Sequence, residues 1–455
     1  MKVFKIGGSC LKDSKNINNV IKIINNENEK LALVLSAVSG ITDLIIKSTK
    51  NFDKDLMIID KLIAKVYEKH ILLLKNNINN KNLLESTTNK INEKLEELKR
   101  ILYGVHYIGI IPDFMYPKII SFGERLSIIL LEGILKDKGI EAKSFESEDL
   151  NLLTDNAIDN ATANLKVVKE NIQNILVPII NDGVIPIITG YYGITEHGRV
   201  ATFGRNGTDY SAAVIAYALN ADELIIWKDV DGFMTANPSK VKNAQLIPHL
   251  SYYEAAELSY FGAKILHPRT IEPLINVNIP VYLKNFYNLE SPGTKIWKHS
   301  IETDGIIKSV TYNDNISVLK IYGAGVGIKP GIISEIGKIL SHNGINIYSV
   351  ITSQTCINLF LDKNDAIDAY DAIKFLCGGV IEKIEHTEDI ALVAVVGDGV
   401  LQTHGLAAKV FSAVANEKIN VEMISSGASE VSYYFIVKKA DLDQTLNAVH
   451  NEFFK

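Results

Sequence analysis

The chain has 455 residues, 47% hydrophobic and 22% charged, with only 11 prolines. That composition excludes disordered and fibrous polymers and leaves room for more than one domain of about 150 residues. Its formal charge of −6 excludes a general electrostatic drive toward nucleic acid or anionic membrane, so an anionic ligand must be held by local basic residues.

The first ten residues, MKVFKIGGSC, read as a short apolar strand over 3–6 running into glycines, without the apolar core of a signal peptide. Runs at 31–35, 185–188 and 223–226 have the same character: Val-, Ile- and Leu-rich strands ending in small or polar residues. Near-continuous apolar strands suit a mainly parallel sheet covered on both faces. Residues 51–102 are rich in Lys, Asn, Glu and Leu at helical spacing and read as a helical excursion from that sheet domain. The polar stretch 288–305, with Pro292-Gly293, closes a first domain over 1–302.

Beyond it the chain repeats itself: 305–361 matches 379–435 without a gap, Gly323 with Gly397, Gly331 with Gly405 and Asn346 with Asn420. Each copy reads as strand (318–322; 392–396), Gly-rich loop and helix (332–340; 406–414). Strands at 345–350 and 357–361 and a helix near 366–376 complete the first copy, a βαββαβ order. The expected units are 303–378 and 379–455. The longest run without Asp, Glu, Lys or Arg, 339–361, is broken by polar residues and alternates, so it is not a membrane span. Cys10, Cys356 and Cys377 are odd in number and widely spaced, which fits a reducing cytoplasm and neither a disulfide framework nor a zinc site.

Six motifs carry chemistry. Lys5-Ile6-Gly7-Gly8-Ser9 ends the first strand, where glycine amides and a lysine suit a phosphate; a tight turn with a solvated lysine is an equal reading. Ser36 to Asp43 places Ser36, Ser39, Gly40 and Thr42 after the second strand, as ligand groups, helix cap or both. Gly123-Glu124 sets a carboxylate at a helix start, for a substrate ammonium or for the helix dipole. Arg205-Asn206-Gly207-Thr208-Asp209, followed by a small-residue helix, offers a planar fork for a carboxylate or phosphate; a surface Arg–Asp pair is the alternative. Trp227 to Pro238, with Lys228, Asp229 and Met234, has the punctuation of a purine- and ribose-holding turn or of an ordinary loop. Lys264, in Tyr260 to Arg269, is a second candidate phosphate lysine or a solvated helix-end lysine.

Taken in order, these motifs resemble those of the aspartokinases, a branch of the amino-acid kinases, over essentially the whole chain. The family's KFGGTS stands here as KIGGSC, its GRGGSDYSA as Arg205 to Ala212, and its W-x-DVDG and FGAKVLHPRT as WKDVDG and FGAKILHPRT. The resemblance implies an αβα sandwich with a mainly parallel sheet followed by two ferredoxin-like ACT domains. It also implies ATP, Mg2+ and L-aspartate as nucleotide, ion and acceptor. It assigns Lys5, Asp209 and Lys264 to catalysis, and Ser36, Thr42, Glu124, Arg205 and Thr208 to the substrate. The nucleotide would take Lys5, Gly7, Gly8, Ser9, Lys228, Asp229, Met234 and Lys264. No carboxylate cluster marks a dedicated metal cage. The sequence departs from the family at Asn206, Met234, Asn237 and Ser239, which bears on nucleotide contact.

An amino-acid effector, threonine or lysine, is implied at Lys329, Gly331, Ile332, Asn346, Ser353 and Gln354. The stretch 348–356 has no acid for a lysine side chain, which favours threonine. Association through the ACT domains into a homodimer or homotetramer, a cytoplasmic location, and a monofunctional chain without a fused homoserine dehydrogenase are further expectations. Two other readings stay open: a kinase of another acceptor, opposed by Glu124 with Arg205, and a silent amino-acid sensor, opposed by Lys5, Arg205, Asp209 and Lys264 together.

Overall fold

The structure, a computed structural model, describes residues 1–50, 55–263, 265–298 and 305–454. Lys264 and the expected boundary at 302/303 lie outside the described residues. The chain divides into two compact units: 1–233, 246–256 and 265–298 form the first, and 234–245, 257–263 and 305–454 the second.

The first unit is built on strands β1 (Lys2–Ile6), β2 (Leu31–Leu35), β3 (Ala142–Phe145) and β4 (Ile185–Thr189). A short hairpin, β5 (Tyr192–Ile194) and β6 (Val200–Thr202), precedes β7 (Glu223–Lys228), β8 (His249–Ser251), β9 (Val281–Asn285) and β10 (Thr294–Trp297). Outside the hairpin, these strands form one sheet in the order β3-β4-β2-β1-β7-β9-β10-β8, parallel throughout except where β10 runs against β9. All five residues of β2, LALVL, are buried, as expected of a strand covered on both faces.

Helices of this unit are α1 (Ser14–Asn25), α2 (Ile41–Thr49), α3 (Met57–Asn77), α4 (Lys81–Ile108), α5 (Tyr116–Ile120) and α6 (Phe122–Asp137). They continue as α7 (Leu165–Asn181), α8 (Gly207–Ala218), α9 (Tyr252–Tyr260), whose residues from Glu257 on belong to the second unit, and α10 (Glu272–Ile275). The helical excursion is the hairpin α3–α4. It buries Ile59, Leu62 and Val66 from one helix and Ile91, Leu95 and Leu98 from the other, and both pack on α6. α4 runs on to Ile108, past the expected end at 102. Its Asn80 cap accepts from the Leu83 amide, and Gly109 ends it in the left-handed region.

The second unit contains β11 (Ser309–Asn313), β12 (Ile316–Tyr322), α11 (Ile332–His342), β13 (Ser349–Thr352), β14 (Cys356–Asp362), α12 (Ala366–Ile373) and β15 (Lys383–Thr387). The second copy adds β16 (Ile390–Val396), α13 (Leu406–Asn416), β17 (Met423–Ser426), β18 (Ser432–Lys438) and α14 (Leu442–Phe453). Two antiparallel sheets result, ordered β13-β14-β12-β15 and β11-β16-β18-β17. The copies exchange edge strands: β15, sequence-distal to residue 378, completes the first sheet beside β12, and β11 completes the second beside β16. The second copy therefore begins its own βαββα run only at β16. The strand expected at 345–350 begins at Ser349, because Gly344, with positive φ, and the Ile345 amide, which donates back to Leu340 O, first turn the chain out of α11.

Candidate active site

Parallel pairing aligns the carboxyl ends of three adjacent strands: Ile6 stands beside Leu35 of β2 and Trp227 of β7. Ligands bind at such ends in open parallel sheets. Lys5 and Lys228 rise there from neighbouring strands and meet Asp209, in the first turn of α8. Lys5 Nζ lies 2.8 Å from Oδ1, and Lys228 Nζ lies 2.8 Å from Oδ2 and donates to it. Asp209 is only 1% exposed. Burial alone would raise its pKa, but the two ammonium groups outweigh it and hold the carboxyl at about 2. Burial pushes Lys228 below the usual lysine value despite the same carboxylate. Two cations on one anion leave the cluster with positive charge to spare.

Next to it, α6 begins with Glu124, also buried. Its Oε1 accepts from the Ala37 amide at 3.1 Å, while Oε2 has no hydrogen-bond partner. Burial pushes this carboxyl up to about 8. Gly123 permits the close approach of α6 to the loop after β2, since a Cβ there would stand 2.6 Å from the Ala37 Cβ and 3.3 Å from Thr42 Oγ1. Glu124, Ala37 and Thr42 are thereby held together. Arg125 turns the other way, into Glu146 and Glu148, with its guanidinium over the Tyr192 ring at 4.7 Å.

The glycines of the first motif divide their work. A Cβ at Gly8 would meet the Ala37 carbonyl oxygen at 2.4 Å, and the Gly8 carbonyl accepts from the Ser39 amide at 3.2 Å, so Gly8 locks the first loop to the second. Neither Gly7 nor Gly8 has positive φ. Gly7 lies beside Lys5 Nζ, and Ser9 is the second residue of the short turn Gly8–Leu11 that follows. The Ser36 amide donates to Ile6 O at 3.1 Å, and Thr208 packs its methyl over Gly190. Arg205 is exposed and makes no ion pair among the described residues. Asn206, where the resembled motif has glycine, caps α8 at φ 57° and ψ 27°, the left-handed region that asparagine enters more readily than other side chains. Asp229 is exposed just past β7.

Met234 belongs to the second unit, where its carbonyl accepts from Ser309 Oγ at 2.9 Å. Asn237 Oδ1 accepts from the Ser239 amide and hydroxyl at 2.9 and 2.8 Å, so these two departures form a local turn. Among the expected effector residues, Gly331 caps α11 with φ 94° and Ile332 is buried. The Gly327 amide donates to Gln354 O at 3.3 Å, and Gly327 packs against Ser353 O, which brings the Gly-rich loop to the 353–355 turn. Lys329 and Asn346 are exposed. Glu382, distant in sequence and outside the 348–356 stretch, reaches this loop and accepts from the Ala324 amide at 3.2 Å.

Sequence reading did not pair Lys228 with Asp209. It also missed Lys69, whose ammonium on α3 donates to the Ser39 carbonyl and ties the helical hairpin to the site. Only tertiary contact reveals either. Among the described residues, no group of three or more His, Cys, Asp or Glu stands together as a metal cage, and no helix is long and apolar enough to cross a membrane.

A model of the amino acid kinase family matches residues 1–285. The chain belongs to that family. An ACT-domain model matches residues 393–453, so the amino-acid-kinase sheet followed by ACT units is the architecture expected above. Among curated proteins, the chain is similar to the bifunctional aspartokinase/homoserine dehydrogenase of Buchnera aphidicola, 34% identical over 471 residues, covering all of this chain and 56% of that protein. It is also similar to aspartokinase 1, chloroplastic, of Arabidopsis thaliana, 29% identical over all of this chain and 80% of that protein. The chain spans about half the length of most curated relatives it matches. Of solved structures, E. coli aspartokinase III in complex with aspartate and ADP superposes with a TM-score of 0.85 at 26% identity, covering 100% of both chains. Its complex with lysine and aspartate gives 0.83 at the same identity and coverage.

Proposed function

We propose that this amino acid kinase is an aspartate kinase, transferring the γ-phosphoryl group of ATP to the side-chain carboxylate of L-aspartate to give 4-phospho-L-aspartate. In this reading the reaction is the first step toward lysine, threonine and methionine, in the cytoplasm. The observation that carries it is the contrast between two buried carboxylates at one set of strand ends. Each Asp209 oxygen has an ammonium at 2.8 Å, Oδ2 hydrogen-bonded by Lys228 and Oδ1 in ion-pair contact with Lys5 without a hydrogen bond, while Glu124 Oε2 has neither an ion-pair nor a hydrogen-bond partner among the described residues. An anionic phosphoryl group suits the first and a substrate ammonium the second. The likeness to E. coli aspartokinase III, solved with aspartate and ADP, supports the same assignment.

Glu124 takes the α-ammonium, Arg205 the α-carboxylate, and Thr42 stands near the reacting end, with Ser36 and Thr208 shaping the substrate pocket. The acceptor carboxylate has a pKa near ~3.9 and is already ionised at neutral pH, so no general base is needed. The chain's work is positioning and neutralisation. Lys5 follows the γ-phosphoryl oxygens as negative charge spreads over them, Asp209 fixes the ammonium in place, and Lys228 extends the cationic surface toward the nucleotide. Gly7, Gly8 and Ser9 border the phosphates, Asp229 and Met234 belong to the nucleotide side, and Lys264 is assigned to the phosphates. Mg2+ would accompany the nucleotide and would supply neutralisation of its phosphate charge. The ACT units bind an effector amino acid, threonine or lysine, and join the chains into a homodimer or homotetramer. With Glu382 at the Gly-rich loop, both effectors stand on equal terms.

The test is ADP release from Mg-ATP with L-aspartate, beside L-glutamate and a no-acceptor control, repeated with threonine or lysine. Aspartate-dependent release that either amino acid depresses is the expected result. Folded protein that releases no ADP with aspartate refutes the kinase and favours the amino-acid sensor.

A further inference from the structure

The second unit holds a cavity of about 200 Å³ that none of the assigned roles uses. The chain just before Lys264 lines it with Glu257, Tyr260 and Phe261, and the loop after β17 with Ser425, Ser426 and Ser429. The β-strands contribute Ile316, Phe360, Leu392 and Tyr434.

Charge, aromaticity and size restrict what fits. Glu257 is the one charged residue among those lining the cavity; no lysine, arginine or histidine lines it. Glu257 has no ion-pair partner among the described residues, and its Oε2 is oriented by Ser432 Oγ, which donates to it at 2.5 Å. An anion would therefore meet a carboxylate with nothing to compensate it.

The rings form a continuous set: Tyr260 with Tyr348 at 5.8 Å, Phe261 with Tyr434 at 5.2 Å, and Phe360 with Tyr434 at 6.2 Å. Aromatic faces beside a carboxylate are the surroundings that an ammonium group prefers. The rings are held in place, since Tyr260 OH donates to the Tyr348 carbonyl at 2.5 Å and Tyr434 OH meets Ser349 Oγ at 2.5 Å. A cavity of about 150 Å³ accommodates a benzene, so this one suits a compact molecule rather than a nucleotide.

We propose that this cavity is a binding site for a small alkylammonium group, its nitrogen on Glu257, its hydrocarbon against Phe360 and Tyr434, and any hydroxyl or carboxylate tail toward the serines of the 425–429 loop. The group has two sources, a free amine or the ammonium of a small α-amino acid. The cavity is separate from the effector loop at 323–331 and 353–355, none of whose residues lines it. The binding chemistry does not rest on the kinase reading.

Calorimetric titration of the full chain with butylammonium chloride, L-2-aminobutyrate and sodium butyrate tests the site with three ligands of nearly equal size. Butylammonium is expected to bind and butyrate to give no heat. Glu257→Gln weakens butylammonium at least tenfold, and Ala428→Phe, on an exposed loop residue at the cavity, abolishes its binding. L-2-aminobutyrate binding as tightly, with the same loss in Glu257→Gln, assigns the natural occupant to an amino acid; tighter butylammonium assigns it to a free amine. Butyrate binding as well as butylammonium, no heat from either ammonium ligand, or heats unchanged in both variants overturns the proposal. The readout needs no phosphoryl transfer, so a chain without kinase activity that still binds leaves the site standing.

Discussion

Glu124→Gln separates stability from substrate binding at one atom. In the folded chain burial raises the Glu124 pKa from 4.5 to about 8. Between those values the unfolded chain has lost a proton that the folded chain keeps, so this group's contribution to stability falls as pH rises from about 4.5 to 8. At pH 7 the span is about 2.5 units, which at ~1.4 kcal/mol per unit is an upper bound of about 3.5 kcal/mol. Glutamine keeps an acceptor for the Ala37 amide and removes the titration. Its amide N–H groups lack partners, which costs about 1–2 kcal/mol. The variant should therefore gain about 1–2 kcal/mol over the parent at pH 7 to 8 and nothing, or a small loss, at pH 5. Scanning calorimetry of both proteins at pH 5, 6, 7 and 8 measures the gap. L-Aspartate at 100 times its Kd should then raise the parent by about 2.7 kcal/mol and the variant far less, since the ammonium that makes ionised Glu124 favourable has lost its partner. A gap that does not widen with pH refutes the reasoning, because it would mean that Glu124 is ionised in the empty site.

Lys5→Met should lower kcat by at least a hundredfold with little change in the aspartate KM, since a lysine about 4 Å from a phosphoryl oxygen is worth on the order of 4 kcal/mol at an effective dielectric of ~20; steady-state kinetics checks it. Asp209→Asn should destabilise by about 3 kcal/mol at neutral pH by leaving two buried cations uncompensated, and the loss should shrink as pH falls through about 2, where the parent's carboxylate is protonated too. Gly8→Ala should lower kcat and thermal stability together, because its Cβ cannot share space with the Ala37 carbonyl at 2.4 Å. His70 is fully buried on α3 with a pKa of about 4, so stability should be lost as pH falls from about 6.5 to 4, and His70→Leu should flatten that slope in urea unfolding.

The parallel strands and the repeat were legible because each imposes a local pattern: an unbroken apolar run, or the same glycines recurring in register. Lys5, Glu124 and Asp209 were legible for the same reason, each lying within a few residues of a glycine-marked turn. What the sequence could not show is pairing across distance. β11 and β15 carry ordinary strand patterns that do not reveal which copy they complete, and the exchange appears only in the sheet order. The pairing of Lys228 with Asp209 was not legible, because nothing in Trp227 to Gly232 announces a carboxylate nineteen residues earlier on α8, which meets Lys228 only when α8 packs beside β1 and β7. Glu382 at the Gly-rich loop was not legible for the same reason, since it lies outside the 348–356 stretch and reaches Ala324 only through the fold.

Two carboxylates at neighbouring strand ends therefore reach opposite charge states from the same degree of burial. Desolvation acts alike on Asp209 and Glu124; the difference is that two lysines reach one and a single backbone amide reaches the other. On the kinase reading, a site that holds a polyanion and an ammonium without neutralising both before they arrive needs this asymmetry. A pre-formed lysine pair at Glu124 would exclude the substrate, and a bare carboxylate at Asp209 would repel the phosphates. Reversing the asymmetry should be harmful in both directions. Ala37→Lys, which brings a cation toward Glu124, should raise the aspartate KM by more than tenfold while sparing the ATP KM, whereas Lys228→Met should do the opposite. Equal effects of the two substitutions on both KM values would mean that the carboxylates serve the fold rather than two different ligands.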